Sequence, residues 1–305
     1  GETRNVVHLP PGKTVELVYT VAAPRGQYQF ERVAATAGDH LGLFRRQIRV
    51  AAPGSFTVLP ELRRMPQVSI RPRRTRASAG AVPARLGGPG LSFFGVREYQ
   101  PGDSLRWINW RAAARHPRHL FTNEFEQERV ADVGLILDAR VRSDIQARGE
   151  SLFEHAVTAT ASLADAFLRG GNRVALLVYG GGIEWVFPGY GRVQRERILQ
   201  ALGRASRGAS DVFETFESLP TRLFPPQSQI VMVSPLWTED LPMLFTLRAH
   251  RYELLVVSPN PVAFEQTGAP ANQTVELAVR AARLERTLLI RRLRQAGAQV
   301  VDWQV

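Results

Sequence analysis

The run Val133-Gly134-Leu135-Ile136-Leu137, closed by Asp138, constrains this chain more than any other stretch. Five successive residues without a polar side chain leave no face for water, so a strand there must be covered on both sides, as in the middle of a parallel sheet. Parallel neighbours in turn require crossover helices. Residues 151–169 supply one, with Leu152, Phe153, Ala156, Val157, Leu163, Ala164 and Phe167 at helical spacing and Gly170-Gly171 as the stop. The pattern continues with a strand at Arg173 to Tyr179, a hairpin arm at Ile183 to Phe187, and helices near 192–204 and 211–218. Strands at Ile230 to Ser234 and Glu253 to Val257 enclose a helix around 239–250, and an arginine-rich helix from Thr274 to Gln295 leads into a last strand, Gln299 to Trp303. This alternation predicts an α/β fold: a doubly wound, mostly parallel sheet with helices on both faces and its functional surface at the carboxyl ends of the strands.

The first 60 residues read differently. Short alternating runs such as Val15-Glu16-Leu17-Val18-Tyr19, Tyr28-Gln29-Phe30 and Gln47-Ile48-Arg49-Val50 lie between Pro10-Pro11-Gly12, Pro24-Arg25-Gly26 and Pro53-Gly54. They predict a small antiparallel β-domain over 1–60. Residues 61–92 carry Arg63, Arg64, Arg71, Arg73, Arg74 and Arg76, then Gly87-Gly88-Pro89-Gly90, with few apolar residues to bury, and are read as a linker or exposed loop before a domain over 93–305. A basic patch for nucleic acid or phospholipid is the sharper reading of the same arginines.

The net charge of +11 rests on arginine, because Lys13 is the sole lysine, and it favours an acidic partner: a protein patch, an anionic lipid surface or a phosphate backbone. With no cysteine, disulfides, thiol nucleophiles and thiolate metal sites are excluded. No apolar run approaches the roughly 18 residues of a membrane-spanning helix. The abrupt start at Gly1 in what reads as mid-domain suggests a missing N-terminal portion.

Lys13 stands too early to close a phosphate loop, and no HExxH, GxSxG or GxGxxG pattern occurs, so the chain reads as not an enzyme. His116 and His119 would present two imidazoles, but Pro117 between them breaks helical geometry and no third ligand is evident. The densest segment is Phe93-Phe94-Gly95-Val96-Arg97-Glu98-Tyr99-Gln100-Pro101-Gly102-Asp103-Ser104-Leu105-Arg106-Trp107-Ile108-Asn109-Trp110. Pro101-Gly102-Asp103 is a turn. Arg97, Glu98, Asp103, Arg106 and Arg115 suit an ion-pair network anchoring it, with Trp107 and Trp110 covering apolar surface, so a structural clamp is the reading preferred over an active site.

This segment resembles the signature of the DUF58 family, F-x-G-x-R-E-Y-x-P-G-D-x-x-R-x-I-x-W, which precedes the first strand of a von Willebrand A-like domain. The likeness continues through Ala112, Ala114 and Arg115 to Glu124-Phe125-Glu126-Gln127-Glu128-Arg129, and upstream to Arg25-Gly26-Gln27-Tyr28, Asp39-His40-Leu41-Gly42-Leu43-Phe44, where His40 replaces a proline, and Val58-Leu59-Pro60. The resemblance implies a domain without known catalysis, often encoded beside MoxR-type AAA+ ATPases and commonly preceded by two transmembrane helices, which would place the full-length protein on the cytoplasmic side of the cell membrane.

Von Willebrand A domains hold a divalent cation through D-x-S-x-S, a threonine from a second loop and an aspartate from a third, oxygen donors suited to Mg²⁺. Here Asp138 keeps the first position, Arg140 and Arg142 replace the two serines, Gly208-Ala209-Ser210-Asp211 stands for the second loop, and Val233-Ser234-Pro235 has proline where the aspartate belongs. Guanidinium groups repel a dication and cannot ligate it, so no metal is expected. Two alternatives stay open for Arg140 and Arg142: one supplies the positive charge itself, pairing with Asp138 or a partner's carboxylate, or both point to solvent. The resulting expectation is a non-catalytic scaffold or adaptor whose face around Asp138, Arg140, Arg142, Ser210, Asp211 and Ser234 meets a protein partner. The rival is an arginine-rich nucleic-acid or anionic-surface binder using residues 63–76 and Arg280 to Arg294.

Overall fold

A computed structural model describes residues 12–16, 18, 20–39, 41, 43–65, 75–116, 118–208, 215–266 and 272–305, of which 75–92, 94 and 125–129 are described by backbone alone. The chain divides into two compact units, Gly1–Val58 and Leu59–Val305.

In the first unit, β1 (Gly26–Gly38) and β2 (Arg45–Val58) form one antiparallel hairpin, with Gly26 opposite Val58 and Gly38 opposite Arg45. Asp39 closes the turn, its Oδ1 accepting from Phe44 N at 2.8 Å. Tyr28 stacks on Phe56 at 5.2 Å. Gly54 lies under the Phe30 ring, where an added Cβ would come within 2.3 Å of it, so this position requires glycine. Val15, Glu16 and Val18 are not in a strand, contrary to the sequence expectation; Leu17 and Tyr19 lie outside the described residues.

The second unit begins with residues 59–65 laid against the α/β core: Leu59 and Met65 pack on it, and Arg63 N donates to Ser162 Oγ at 3.0 Å. Next comes β3 (Thr75–Glu98), where the composition had suggested a linker through residue 92. This corrects that reading, and the reason is physical. β3 is held by main-chain pairing to β4 (Phe121–Asp138), which asks nothing of side-chain hydrophobicity. Its pairing is interrupted by register shifts between Ala77 and Val82, Ala84 and Gly87, Gly88 and Phe93, and Phe93 and Gly95; Gly80, Pro89 and Gly90 fall within these shifts, while Pro83, Gly87, Gly88 and Gly95 pair in register. Between β3 and β4 lie a 3₁₀ turn (Leu105–Trp107) and the short helix α1 (Trp110–Ala113), capped by Asn109 Oδ1 accepting from Ala112 N at 3.0 Å.

β4 then enters the sheet. A 3₁₀ turn (Val141–Ser143) and a two-residue hairpin, β5 (Gln146–Ala147) with β6 (Glu150–Ser151), lead to α2 (Leu152–Arg169), capped by Ser151 and stopped at Gly170 and Gly171, the latter at φ +75°. There follow β7 (Arg173–Tyr179), β8 (Ile183–Gly189) and α3 (Gly191–Arg204). Of the helix expected over 211–218, residues 211–214 lie outside the described set, and the described residues 215–218 hold a 3₁₀ turn at Phe216–Ser218. Pro220 disfavours helical backbone at Leu219 and ends it there. The chain finishes with β9 (Gln229–Val233), α4 (Leu241–Ala249), β10 (Glu253–Pro259), the short α5 (Pro261–Gln266) that the sequence pattern did not reveal, α6 (Gln273–Gln295) and β11 (Gln299–Trp303).

The sheet order is β11-β10-β9-β4-β7-β8, parallel throughout except for the β7–β8 edge pair, with β3 attached to the first part of β4. Along β4, Val133, Leu135 and Leu137 pack against α2 and α3, while Ile136 turns toward the layer of α4 and α6. Each such fully buried Leu or Ile stabilises the fold by about 1.5–3 kcal/mol. Gly134 leaves room for Phe224, whose ring an added Cβ would approach to 2.3 Å. The mixed α/β architecture with helices on both faces is thus as the apolar pattern predicted. Among the described residues no helix is long and apolar enough to cross a membrane.

Candidate functional site

Three loops meet at the carboxyl end of β4. Ala139 N donates to Tyr179 O at 2.7 Å and Gly208 N to Ala139 O at 3.0 Å, so the segments after β4 and β7 and residues 205–208 are tied by main chain. The approach is very close: a Cβ on Gly208 would lie 1.7 Å from Gly181 Cα, and one on Gly180 would lie 2.2 Å from Ala139 O. Neither position admits a side chain.

This packing drives Arg140 inward. Its side chain is 2% exposed, and the guanidinium is held on two edges. Nε and Nη2 donate to Asp138 Oδ1 and Oδ2, each at 2.8 Å; Nη1 and Nη2 donate to Asp240 Oδ1 and Oδ2 at 2.7 and 2.9 Å. Its face lies over Phe216, with Cζ 3.8 Å from the ring centroid. Burial alone would favour the neutral form, but the hydrogen bonds and charges of Asp138 and Asp240 outweigh it and raise the Arg140 pKa above its ordinary value. Asp138 Oδ2 also accepts from Ser143 Oγ and Ser234 Oγ, both at 2.7 Å, and Oδ1 accepts from Arg140 N at 3.1 Å.

Arg142 reaches Asp240 from the solvent side. Its Nη2 donates to Asp240 Oδ1 at 2.9 Å, Nη1 lies 3.5 Å from Glu239, and its guanidinium lies 5.7 Å from the Trp237 ring centroid. Asp240 Oδ2 accepts from Trp237 N at 3.0 Å, and the residue sits at the start of α4, where the helix dipole favours a carboxylate. The two buried aspartates are thus matched by the guanidinium groups of Arg140 and Arg142, with exposed Glu239 at the rim beside Arg142. The residues present do not fit a resident dication: the oxygens that would ligate it already accept from a fixed guanidinium, and a second positive charge among them would be repelled.

The loop carrying Ser234 is itself anchored. Arg286 on α6 is buried, donating from Nη1 to Pro235 O at 2.9 Å, from Nη2 to Ser258 Oγ at 2.9 Å and to Asp302 Oδ1 at 2.7 Å. Ser258 Oγ donates to Pro235 O at 3.1 Å, and Leu236 takes a left-handed backbone at φ +63°.

The structure therefore brings together Asp138, Arg140, Arg142, Ser234 and Pro235; Ser210 and Asp211 lie outside the described residues. Of the two alternatives for the arginines, solvent exposure does not apply to Arg140, while Arg142 is partly exposed. Sequence reasoning missed Asp240, Ser143, Phe216 and Arg286. Asp240 had a signal: an acidic residue just ahead of Leu241-Pro242 marks a helix start, five positions after the proline that stands where an aspartate belonged.

The signature segment is a separate construction. Arg97 donates from Nη1 and Nη2 to the two Asp103 oxygens at 2.8 and 2.7 Å and from Nε to Glu124 at 2.8 Å. Hydrogen bonding with Asp103 chiefly raises the Arg97 pKa; the same bonds, then that from Gln100 N at 2.9 Å, lower that of Asp103. The turn has Gly102 at φ +109°, Asp103 N donating to Gln100 O at 3.0 Å and Tyr99 OH reaching Asp103 O at 3.4 Å, with Pro101 inside it. Glu98 pairs with His119 at 2.5 Å, and His116 packs on Phe121, so the two histidines do not converge. Arg106 and Arg115 do not join this network of described residues, and Trp110 is 68% exposed, so it does not cover apolar surface as expected. Phe94 and Gly95 lie in β3, Gly95 pairing with Glu124.

Comparison with known proteins places these features. The chain is 27% identical over 259 residues to an uncharacterized protein, YeaD, of Bacillus subtilis strain 168, covering 83% of this chain and 62% of that relative's length. The family model described as a protein of unknown function, DUF58, matches residues 95–287, from Gly95 of the clamp through both faces of the Arg140 cluster to α6. The match takes in more than half of the chain, which belongs to the DUF58 family.

Proposed function

We propose that this chain is a non-catalytic protein-interaction module of the von Willebrand A type, in which a resident guanidinium stands where such domains keep a cation. The single observation that carries the reading is Arg140, buried and shared between Asp138 and Asp240 at the strand ends. The strand order, with its antiparallel edge strand β8 and its first strand β4 in the centre, supports the same reading. On it, Asp138, Arg140, Ser143 and Ser234 hold the loops in shape, and the partly exposed Arg142 with Trp237 and Glu239 forms the contact surface.

The partner fitting the family resemblance is a MoxR-type AAA+ ATPase, with the full-length protein an adaptor on the cytoplasmic side of the membrane. The test is capture of that purified ATPase by the full-length protein, with and without EDTA, comparing wild type with Arg142→Ser. Capture that survives EDTA and falls at least tenfold in Arg142→Ser is the expected result. Capture that EDTA abolishes and Mg²⁺ restores would overturn the resident-guanidinium reading, and failure to capture the ATPase would remove the partner.

A further inference from the structure

Helix α6 carries two apolar faces, and only one is buried. Leu289, Ile290 and Leu293 pack into the core with Arg286 beside them. On the opposite side Leu277, Leu284 and Leu288 are 58%, 66% and 51% exposed, with exposed Ala281 among them. Leucine is common on protein surfaces singly, but these four positions are spaced i, i+4, i+7, i+11. At 3.6 residues per turn they fall in one narrow stripe, the a/d seam of a helix that packs against a single further helix.

The flanks define what that second helix must be. Exposed Arg280 and Arg292 lie on opposite borders of the stripe, exposed Arg291 closes its C-terminal end, and Glu285 is the one acidic residue on its borders. The helix as a whole has six arginines and two glutamates. A second copy of this chain would set arginine against arginine, which disfavours self-pairing. A membrane surface is matched by a wide apolar face with aromatic anchors, and this stripe is narrow and wholly aliphatic.

We infer that the outer face of α6 is a docking seam for an amphipathic partner helix with leucine-type residues at its a and d positions and glutamate or aspartate at e and g. This surface is independent of the Arg140 cluster.

The experiment uses three labelled 21-residue helical peptides: leucine at a and d with glutamate at e and g, the same peptide with lysine at e and g, and a scrambled acidic sequence. Fluorescence anisotropy with the whole chain should show the acidic seam peptide binding at least tenfold more tightly than the other two. Leu284→Glu with Leu288→Glu should abolish that binding with the melting temperature unchanged, since both side chains are in water. Arg280→Glu with Arg292→Glu should invert the preference toward the lysine peptide, a gain that misfolding cannot mimic. Equal binding of all three peptides, no binding of any, or loss of self-association in Leu284→Glu with Leu288→Glu would overturn the proposal. So would binding to phosphatidylglycerol vesicles that these leucine changes remove while the peptides show no preference.

Discussion

Arg140 and Asp240 stand 100 positions apart in the chain, yet share two hydrogen bonds of 2.7 and 2.9 Å inside the protein. The pair joins the end of the central strand to the start of α4, so the geometry of the strand-end surface depends on a charge contact that water does not reach.

Removing that charge should be costly. Arg140→Met keeps most of the volume but leaves Asp138 buried without a counter-charge and Asp240 with Arg142 alone, and breaking such a buried pair destabilises by about 3–5 kcal/mol. Chemical denaturation measures this directly. The two carboxylates and the hydroxyls of Ser143 and Ser234 would then be open to a hard cation, so the smaller Arg140→Ser should gain several degrees in melting temperature on adding Mn²⁺, whereas the wild type should not respond. A wild-type response as large as that of Arg140→Ser would contradict the assignment.

Gly208→Ala should act through backbone alone. With Gly181 Cα 1.7 Å from the position of the new methyl, the two loops must separate, and the Arg140–Gly208 bridge is lost with them. A cost of about 1–3 kcal/mol is expected, whereas Gly182→Ala, where the added atom meets nothing within 4 Å, should be close to neutral. Similar losses from the two changes, read in urea melts, would rule this account out.

Arg286 gives a test of how the Ser234 loop is held. Arg286→Ala removes donors to Pro235 O, Ser258 and Asp302, and because Asp302 is partly exposed the expected loss is about 2–3 kcal/mol rather than that of a fully buried pair. Hydrogen exchange at Leu236 N, which donates to Ser234 Oγ at 3.1 Å, should accelerate in this variant more than exchange at Val178 in the core. Uniform acceleration across the sheet would mean that Arg286 supports overall stability instead.

The signature clamp should open in acid. Arg97 holds the Asp103 carboxyl below the usual carboxylate range, aided by Gln100 N. Its contribution is therefore full above the unfolded value of about 3.9 and is lost as pH falls through the lower folded value. Asp144 behaves alike: burial pushes its carboxyl up, but Ser151, Gln146 and Arg207 together pull it down further. Exchange at the Gln100 amide should rise steeply below about pH 4 in wild type. In Asp103→Asn it should be fast at neutral pH and lack that acid step; an unchanged acid profile would show that Asp103 is not the titrating group.

The parallel sheet was legible because its strands are read by what they exclude. Val133 to Leu137 has no polar residue, and nothing but a two-sided burial accommodates it. β3 was not legible, since its stability lies in main-chain pairing that Gly87-Gly88-Pro89-Gly90 neither advertises nor prevents. The site was half legible. Asp138, Arg140 and Arg142 are near neighbours in sequence, so their meeting was foreseeable, but Asp240 and Arg286 arrive from remote helices. Which carboxylate a buried arginine finds is decided by how α4 and α6 cross the sheet, and no local pattern encodes that.

β4 is a single unbroken strand whose beginning, Phe121, pairs with Glu98 beside the clamp and whose end is Asp138. At about 3.3 Å per residue these ends are some ~55–60 Å apart along the strand. From residue 132 onward β7 and β9 grip it on either side. A pull on the clamp is thus borne by the same polypeptide that ends in the Asp138 carboxylate. The gripped half is loaded along the strand axis, across its hydrogen bonds and therefore in shear, the direction in which a ladder of bonds must fail together rather than one at a time.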